Sequence, residues 1–315
     1  MTDVWTVKAI LDWCVGYLEK NGDPNPRLSA QWLLSEALGL SRLELYVSLD
    51  KPLTTEERAT MREWVRRRAQ GEPLQLICGK APFRYLTVAV QKGVLIPRPE
   101  TEVLVSEALE ELALPRVAKH VVIKDESEVV EASEEHPIFV LDLCTGSGCI
   151  ACALASEYPS AHVIASDISP EACELALKNR DAFGLQEKIE VVQNDLMSGM
   201  RDTYSASFDL IISNPPYIPS EVLSSLDREV LDFEPSLALD GGNDGLDLFR
   251  ACLDDVWVCL KSDGVFAVEL FEDSLEQASL LAKEKGFDRV RIAQDLTGRN
   301  RVLIARKPTI THNKS

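Results

Sequence analysis

From residue 138 onward, short apolar runs alternate with stretches of helical period, and this alternation constrains the fold more than any other feature of the chain. The runs at 138–143, 162–167, 188–193, 208–213 and 265–270 read as strands, with a last pair at 289–293 and 301–305. Between them, 149–157, 170–183, 244–260 and 274–285 read as helices. Strands without polar alternation belong inside a sheet covered by helices on both faces. The expected architecture is α/β: a doubly wound, mainly parallel seven-stranded sheet. Ligands in such sheets bind beyond the carboxyl ends of the strands, so the residues that follow each run are where chemistry is sought.

The first 70 residues have a different period. Val7, Ile10, Leu11, Cys14, Val15 and Leu18 recur at helical spacing, and Trp32, Leu33, Leu34, Ala37 and Leu38 mark a second helix after the break at 21–26. Thr54 and Glu57 form a capping box ahead of a third helix that ends near Gln70-Gly71. Residues 83–90 read as strand, which predicts a β-hairpin. Pro97 and Pro99 stand at the start of a helix of about 12 residues. The chain thus divides into a small N-terminal helical domain (1–74) suited to partner recognition, a linker with the hairpin (75–98), and the α/β domain (99–308). A polar, acidic surface insertion is expected near 120–136, densest at 124–135.

Net charge is −18, from 33 basic and 51 acidic residues. Phosphate neutralisation supplies much of the affinity of nucleic-acid binders, so no direct nucleic-acid substrate is expected. The cluster Arg62, Arg66, Arg67 and Arg68 reads as the solvated face and C-terminal end of a helix. No apolar run approaches the ~20 residues that span a bilayer, and the first residues lack the pattern of a signal peptide. A cytoplasmic protein with no membrane partner is expected. Cys149 and Cys152 are spaced as C-x-x-C, but no second pair accompanies them among the eight cysteines, and only four histidines are present. They read as small packing residues rather than metal ligands.

Asp142-Leu143-Cys144-Thr145-Gly146-Ser147-Gly148 follows the first strand of the α/β domain and opens a helix, where backbone N–H groups are free to meet a ligand. Ala151 stands where the dinucleotide fingerprint has its third glycine, and no P-loop Lys follows. Asp142 is an anion placed to meet a ligand ammonium. Asp167, at the end of the next strand, is placed to accept from ribose hydroxyls, and Asp195, after the third, from an adenine amino group. Any one of them alone also reads as a cap or turn residue. Asn214-Pro215-Pro216-Tyr217 closes the fourth strand. An Asn carbonyl, a backbone carbonyl stiffened by two prolines and an aromatic face suit a planar nitrogen bearing two hydrogens, either an amide or an exocyclic amine.

These segments, together with Gly71-Glu72-Pro73, Ile96-Pro97-Arg98-Pro99-Glu100-Thr101-Glu102 and Phe233-Glu234-Pro235, occur in the order found in the PrmC/HemK family, which the chain resembles over nearly its whole length. That resemblance implies a Rossmann-like, class I methyltransferase fold and a protein-(glutamine-N5) methyltransferase of peptide chain release factors, acting in translation termination. It implies S-adenosyl-L-methionine held by Asp142, Cys144, Thr145, Gly146, Ser147, Gly148, Asp167, Ile168, Asp195, Leu196 and Asn214. It further implies a catalytic set of Asn214, Pro215, Pro216 and Tyr217 that holds the glutamine of a Gly-Gly-Gln loop. Two features depart from the family pattern: Glu269 is followed by Leu270-Phe271-Glu272 where a glycine is common, and the acidic insertion is longer. Competing readings are an adenine amino-methyltransferase, which calls for a basic groove, and a non-catalytic cofactor-binding protein, which calls for a broken N-P-P-Y.

Overall fold

The computed structural model describes residues 4–112 and 137–309, and the expected acidic insertion lies outside them. The chain forms two compact units. The first comprises residues 4–80 together with 90–92 and 227–233; the second holds the remaining described residues.

In the first unit α1 (Val7–Lys20), α2 (Pro26–Leu38), α3 (Arg42–Val47), α4 (Thr55–Ala69) and α5 (Leu74–Cys78) close around Val7, Leu18, Leu33, Leu34, Met61 and Val65. Both halves of the α4 capping box form: the Glu57 amide donates to Thr54 Oγ1 (3.1 Å) and the Thr54 amide to Glu57 Oε2 (2.7 Å). Helix α3 was not legible in the apolar pattern; a second capping box, Ser41 with Glu44, starts it. One arginine of the basic cluster is not solvated. Arg68 is buried and donates to Asp23 Oδ2 (2.7 Å), with Glu229 3.0 Å away on α11 (Arg228–Leu231). The loop after α1 supplies Asp23, a long-range partner that the helical period does not reveal.

In the second unit, β1 (Lys80–Phe83) and β2 (Leu86–Ala89) pair as a hairpin. The expected continuous strand at 83–90 is interrupted at Arg84-Tyr85, where Arg84 takes φ 52°. Helix α6 (Pro99–Glu111) follows. The sheet strands are β3 (Ile138–Leu143), β4 (Ala161–Asp167), β5 (Ile189–Gln193), β6 (Phe208–Ser213), β7 (Leu260–Glu269), β8 (Arg289–Gln294) and β9 (Asn300–Arg306). Helices α7 (Cys149–Glu157), α8 (Pro170–Ala182), α9 (Met200–Thr203), α10 (Ser220–Leu223), α12 (Asp247–Cys259) and α13 (Leu275–Lys285) complete the unit.

The strand order is β5-β4-β3-β6-β7-β9-β8, with parallel pairs from β5 through β7 and antiparallel pairs at β7–β9 and β9–β8. This is the expected seven-stranded, mainly parallel α/β sheet. Val140, Leu141, Leu210, Ile211 and Ile212 are fully buried, as the uninterrupted apolar runs require. Phe249 of α12 stacks on Phe266 of β7 at 5.9 Å. Strand β7 begins at Leu260, earlier than the apolar run, because Phe208 pairs with Leu260 before a register shift restores pairing at Leu210↔Val265.

The order reverses between β3 and β6, and a reversal opens a crevice at the carboxyl ends of the two strands. Leu143 lies in register with Ser213, whose Oγ donates to the Leu143 carbonyl (2.7 Å). The topology therefore brings the glycine-rich loop and the N-P-P-Y segment side by side. Among the described residues, no helix is long and apolar enough to cross a membrane.

Candidate active site

The loop between β3 and α7 has three successive departures from ordinary backbone: Cys144 at φ 61°, Gly146 at 55° and Gly148 at 75°. A Cβ on Gly148 would lie 2.9 Å from the Ala176 Cβ, so only glycine lets the first turn of α7 sit against α8. Asp142 is fully buried beneath this loop. Its Oδ2 accepts from Thr145 Oγ1 (2.5 Å) and from the Ala151 amide (3.1 Å), while Oδ1 has no hydrogen-bond partner. Burial pushes the carboxyl up to about 7, against the two hydrogen bonds that favour its ionised form. Asp167, at the end of β4, accepts from the Gly146 amide (2.8 Å) and the Ser169 amide (2.9 Å), which ties two loops together; burial raises this carboxyl as well.

Asn179, buried on α8, fixes the loop from behind. It donates to the carbonyls of Ser147 (2.8 Å) and Ala89 (3.0 Å) and accepts from the Ala89 amide (2.7 Å). Above the loop lies a cavity of about 280 Å³. Of the residues expected at the cofactor, Cys144, Thr145, Gly146, Ser147, Asp167, Ile168, Asp195, Leu196 and Asn214 line it; Asp142 and Gly148 support it from behind. Leu196 also takes a positive φ of 46°. Val94, Leu95 and Pro97 contribute apolar wall that the motif reading did not foresee. Burial holds the Cys149 thiol up at about 12, in keeping with a packing role for that cysteine on α7.

At the other end, Asn214 and Pro216 line the cavity while Pro215 and Tyr217 lie beside it. Asn214 Nδ2 donates to Thr101 Oγ1 (3.0 Å), and Thr101 Oγ1 donates to Glu269 Oε2 (2.8 Å). The Tyr217 hydroxyl donates to the other carboxylate oxygen, Oε1 (2.8 Å). Asn214 Oδ1 is buried without a hydrogen-bond partner. Burial raises the Glu269 carboxyl and the Tyr217 phenol above their ordinary values, and the adjacent carboxylate raises the phenol further.

A loop from Asp240 to Gly245 closes on the backbone after the motif. The Ile218 amide donates to the Leu239 carbonyl and the Gly241 amide to the Ile218 carbonyl, both at 2.9 Å. The approach is so tight that a Cβ on Gly245 would lie 2.2 Å from the Tyr217 carbonyl oxygen. Arg98 pairs with the buried Glu234, and Pro235 joins the cavity lining.

Residues 9–79 match the PrmC N-terminal domain family and residues 128–227 the Methyltransferase small domain family. A curated release factor glutamine methyltransferase of Geobacter sulfurreducens is 41% identical, with 96% of each chain covered. Those of Koribacter versatilis and Chlorobaculum tepidum are 38% and 37% identical, covering 96% and 93% of this chain and 99% and 94% of theirs. The chain belongs to the release factor glutamine methyltransferase family.

The donor set fits S-adenosyl-L-methionine. A buried carboxylate oxygen without a partner, a second acid at the end of β4, an exposed acid at Asp195 and the half-exposed Ile168 suit an ammonium, ribose hydroxyls, an adenine amino group and an adenine face in turn. Thr101, Asn179 and Glu269 of this methyltransferase were not foreseen as site residues. Thr101 stood inside a quoted motif, and Glu269 interrupts the apolar run Val265-Phe266-Ala267-Val268, so both left a trace in the sequence. Asn179, mid-helix, left none.

Proposed function

We propose that this chain transfers a methyl group from S-adenosyl-L-methionine to the side-chain amide nitrogen of the glutamine in the Gly-Gly-Gln motif of peptide chain release factors, with Asn214 as the acceptor that holds that nitrogen. One observation carries the reading: Asn214 is tied through Nδ2 to Thr101, and its Oδ1 is left without a partner on a residue that lines the cavity.

An amide nitrogen is a weak nucleophile because its lone pair is delocalised into the carbonyl. When bound, S-adenosyl-L-methionine supplies a methyl on a sulfonium, and the C–S bonding pair stays on sulfur as the new C–N bond forms. Asn214 Oδ1 takes one N–H and the Pro215 carbonyl the other, which aims the nitrogen and stabilises the positive charge it acquires. Tyr217 is assigned the aromatic wall against the planar amide, its ring fixed by the hydrogen bond to Glu269. One amide hydrogen leaves as a proton to water. Asp142, residues 144–148, Asp167, Ile168, Asp195 and Leu196 hold the cofactor.

The helical unit is assigned recognition of the release factor away from the chemistry; Leu43 and Val47 of α3 are exposed apolar side chains available for it. The net charge of −18 speaks against a phosphate backbone as substrate. Translation termination sets the location in the cytoplasm. The test is incubation with methyl-labelled cofactor and a release factor, unaltered or with its Gly-Gly-Gln glutamine replaced. Label confined to the unaltered factor is expected; equal label on both overturns the assignment.

A further inference from the structure

Glu269 ends β7, fully buried, behind the wall that carries Asn214. Both its oxygens are taken by hydroxyls, Oε2 by Thr101 and Oε1 by Tyr217, each at 2.8 Å. A hydroxyl has one hydrogen, and here both hydroxyls donate it to the carboxyl group. Both hydroxyl hydrogens are therefore committed to Glu269, and Thr101 meets Asn214 with lone pairs alone. Asn214 must then turn its NH2 toward Thr101, which is the 3.0 Å contact observed.

We propose that Glu269, acting through Thr101, is a positioning residue that locks the Asn214 amide with its oxygen outward, so that the site presents the nitrogen of a substrate amide to the methyl donor rather than its oxygen. The proposal deepens, and rests on, the reading of Asn214 as the acceptor. A reversed Asn214 would offer NH2 instead. It would capture the carbonyl oxygen of the incoming glutamine and turn the nitrogen away from the methyl. An acceptor-only carboxylate in the substrate position would meet the Asn214 lone pairs, so the lock also excludes glutamate. Arg301 on β9 and the two hydroxyls favour the ionised form of Glu269, while burial and Glu100 on α6 oppose it. Arg301 is itself held by Asp295 (3.4 Å).

The test compares Thr101→Val, which keeps the shape and removes the hydroxyl, with Thr101→Ser, which keeps the hydroxyl. Turnover, KM for the release factor and cofactor Kd are read for each. Thr101→Val is expected to lower kcat about 10²-fold, the scale of a misplaced reacting atom, with KM and cofactor Kd within about threefold of wild type. Thr101→Ser is expected to recover most of that loss. Glu269→Gln adds an independent readout. Its amide can donate to Thr101 and reverse the lock, so a release factor carrying glutamate in the motif should inhibit this variant about tenfold more strongly than wild type, the effect of about one hydrogen bond.

Equal damage from Thr101→Val and Thr101→Ser, or a Thr101→Val enzyme with wild-type kcat, overturns the proposal, as does unchanged inhibition of a folded Glu269→Gln enzyme. If Glu269→Gln does not fold, the two Thr101 variants decide. Failure of the wild-type enzyme to label the glutamine refutes instead the underlying assignment of Asn214, so the two failures are distinguishable.

Discussion

Replacing Gly245 by alanine should damage catalysis far more than its distance along the chain from Asn214 suggests. Gly245 takes φ +76°, and a Cβ there would lie 2.2 Å from the Tyr217 carbonyl oxygen and 3.2 Å from its carbon. An ordinary C···O contact is about 3.3–3.6 Å, so the overlap exceeds about 1 Å and falls on backbone rather than on a yielding side chain. Either the loop or the Tyr217 peptide must move by that much. Tyr217 is held at its hydroxyl by Glu269 and at its backbone by this loop, so its shift carries the N-P-P-Y segment with it.

A misplacement of about 1 Å is worth about 10²-fold in turnover. Left-handed strain of about 1–2 kcal/mol and overpacking of about 1–3 kcal/mol together should lower Tm by about 5–15 °C. Gly298→Ala is the control. Its φ of +83° imposes the same backbone strain, but nothing lies within 4 Å of the new methyl. Single-turnover methylation of a release factor and thermal melts of both variants provide the comparison. A Gly245→Ala enzyme that turns over within threefold of Gly298→Ala refutes the reasoning.

Asn214→Ala should cut kcat by about 10²–10³-fold, the value of one preorganised polar contact in a transition state, with cofactor Kd nearly unchanged; equal losses in both count against its role. For Asp142, the folded pKa of about 7 lies above the ordinary carboxylate value of 3.8, so the native state binds more protons and wild-type stability falls as pH rises through that window. Asp142→Asn removes this slope, so without cofactor the variant should gain on wild type between pH 4 and 8 by up to about 4 kcal/mol, read by urea denaturation; parallel pH profiles rule this out. Arg68→Ala strands Asp23, whose side chain is 1% exposed, without its buried partner, and should cost about 3–5 kcal/mol. A urea midpoint within error of wild type would show that the pair contributes nothing.

The sheet was legible because parallel strands buried on both faces must be apolar throughout, and β3 and β6 begin and end where their apolar runs do. Helix starts with a local chemical signature were legible too, as at Thr54 with Glu57. The turn at Arg84-Tyr85 was not, since neither residue is a usual turn former and the flanking residues favour strand. The short α3 escaped because six residues are too few to show a period.

The order of elements and the identity of the two loops that meet at the switch point were therefore set by local pattern, which each segment carries in its own residues. What holds those loops was decided only by the tertiary structure. Glu269 reaches Thr101 across 168 positions, and Asn179 reaches Ala89 across 90. A hydrogen bond between such residues leaves no periodicity in the chain, because its partners are chosen by where folding places them and by the cost of leaving a buried polar group unpaired.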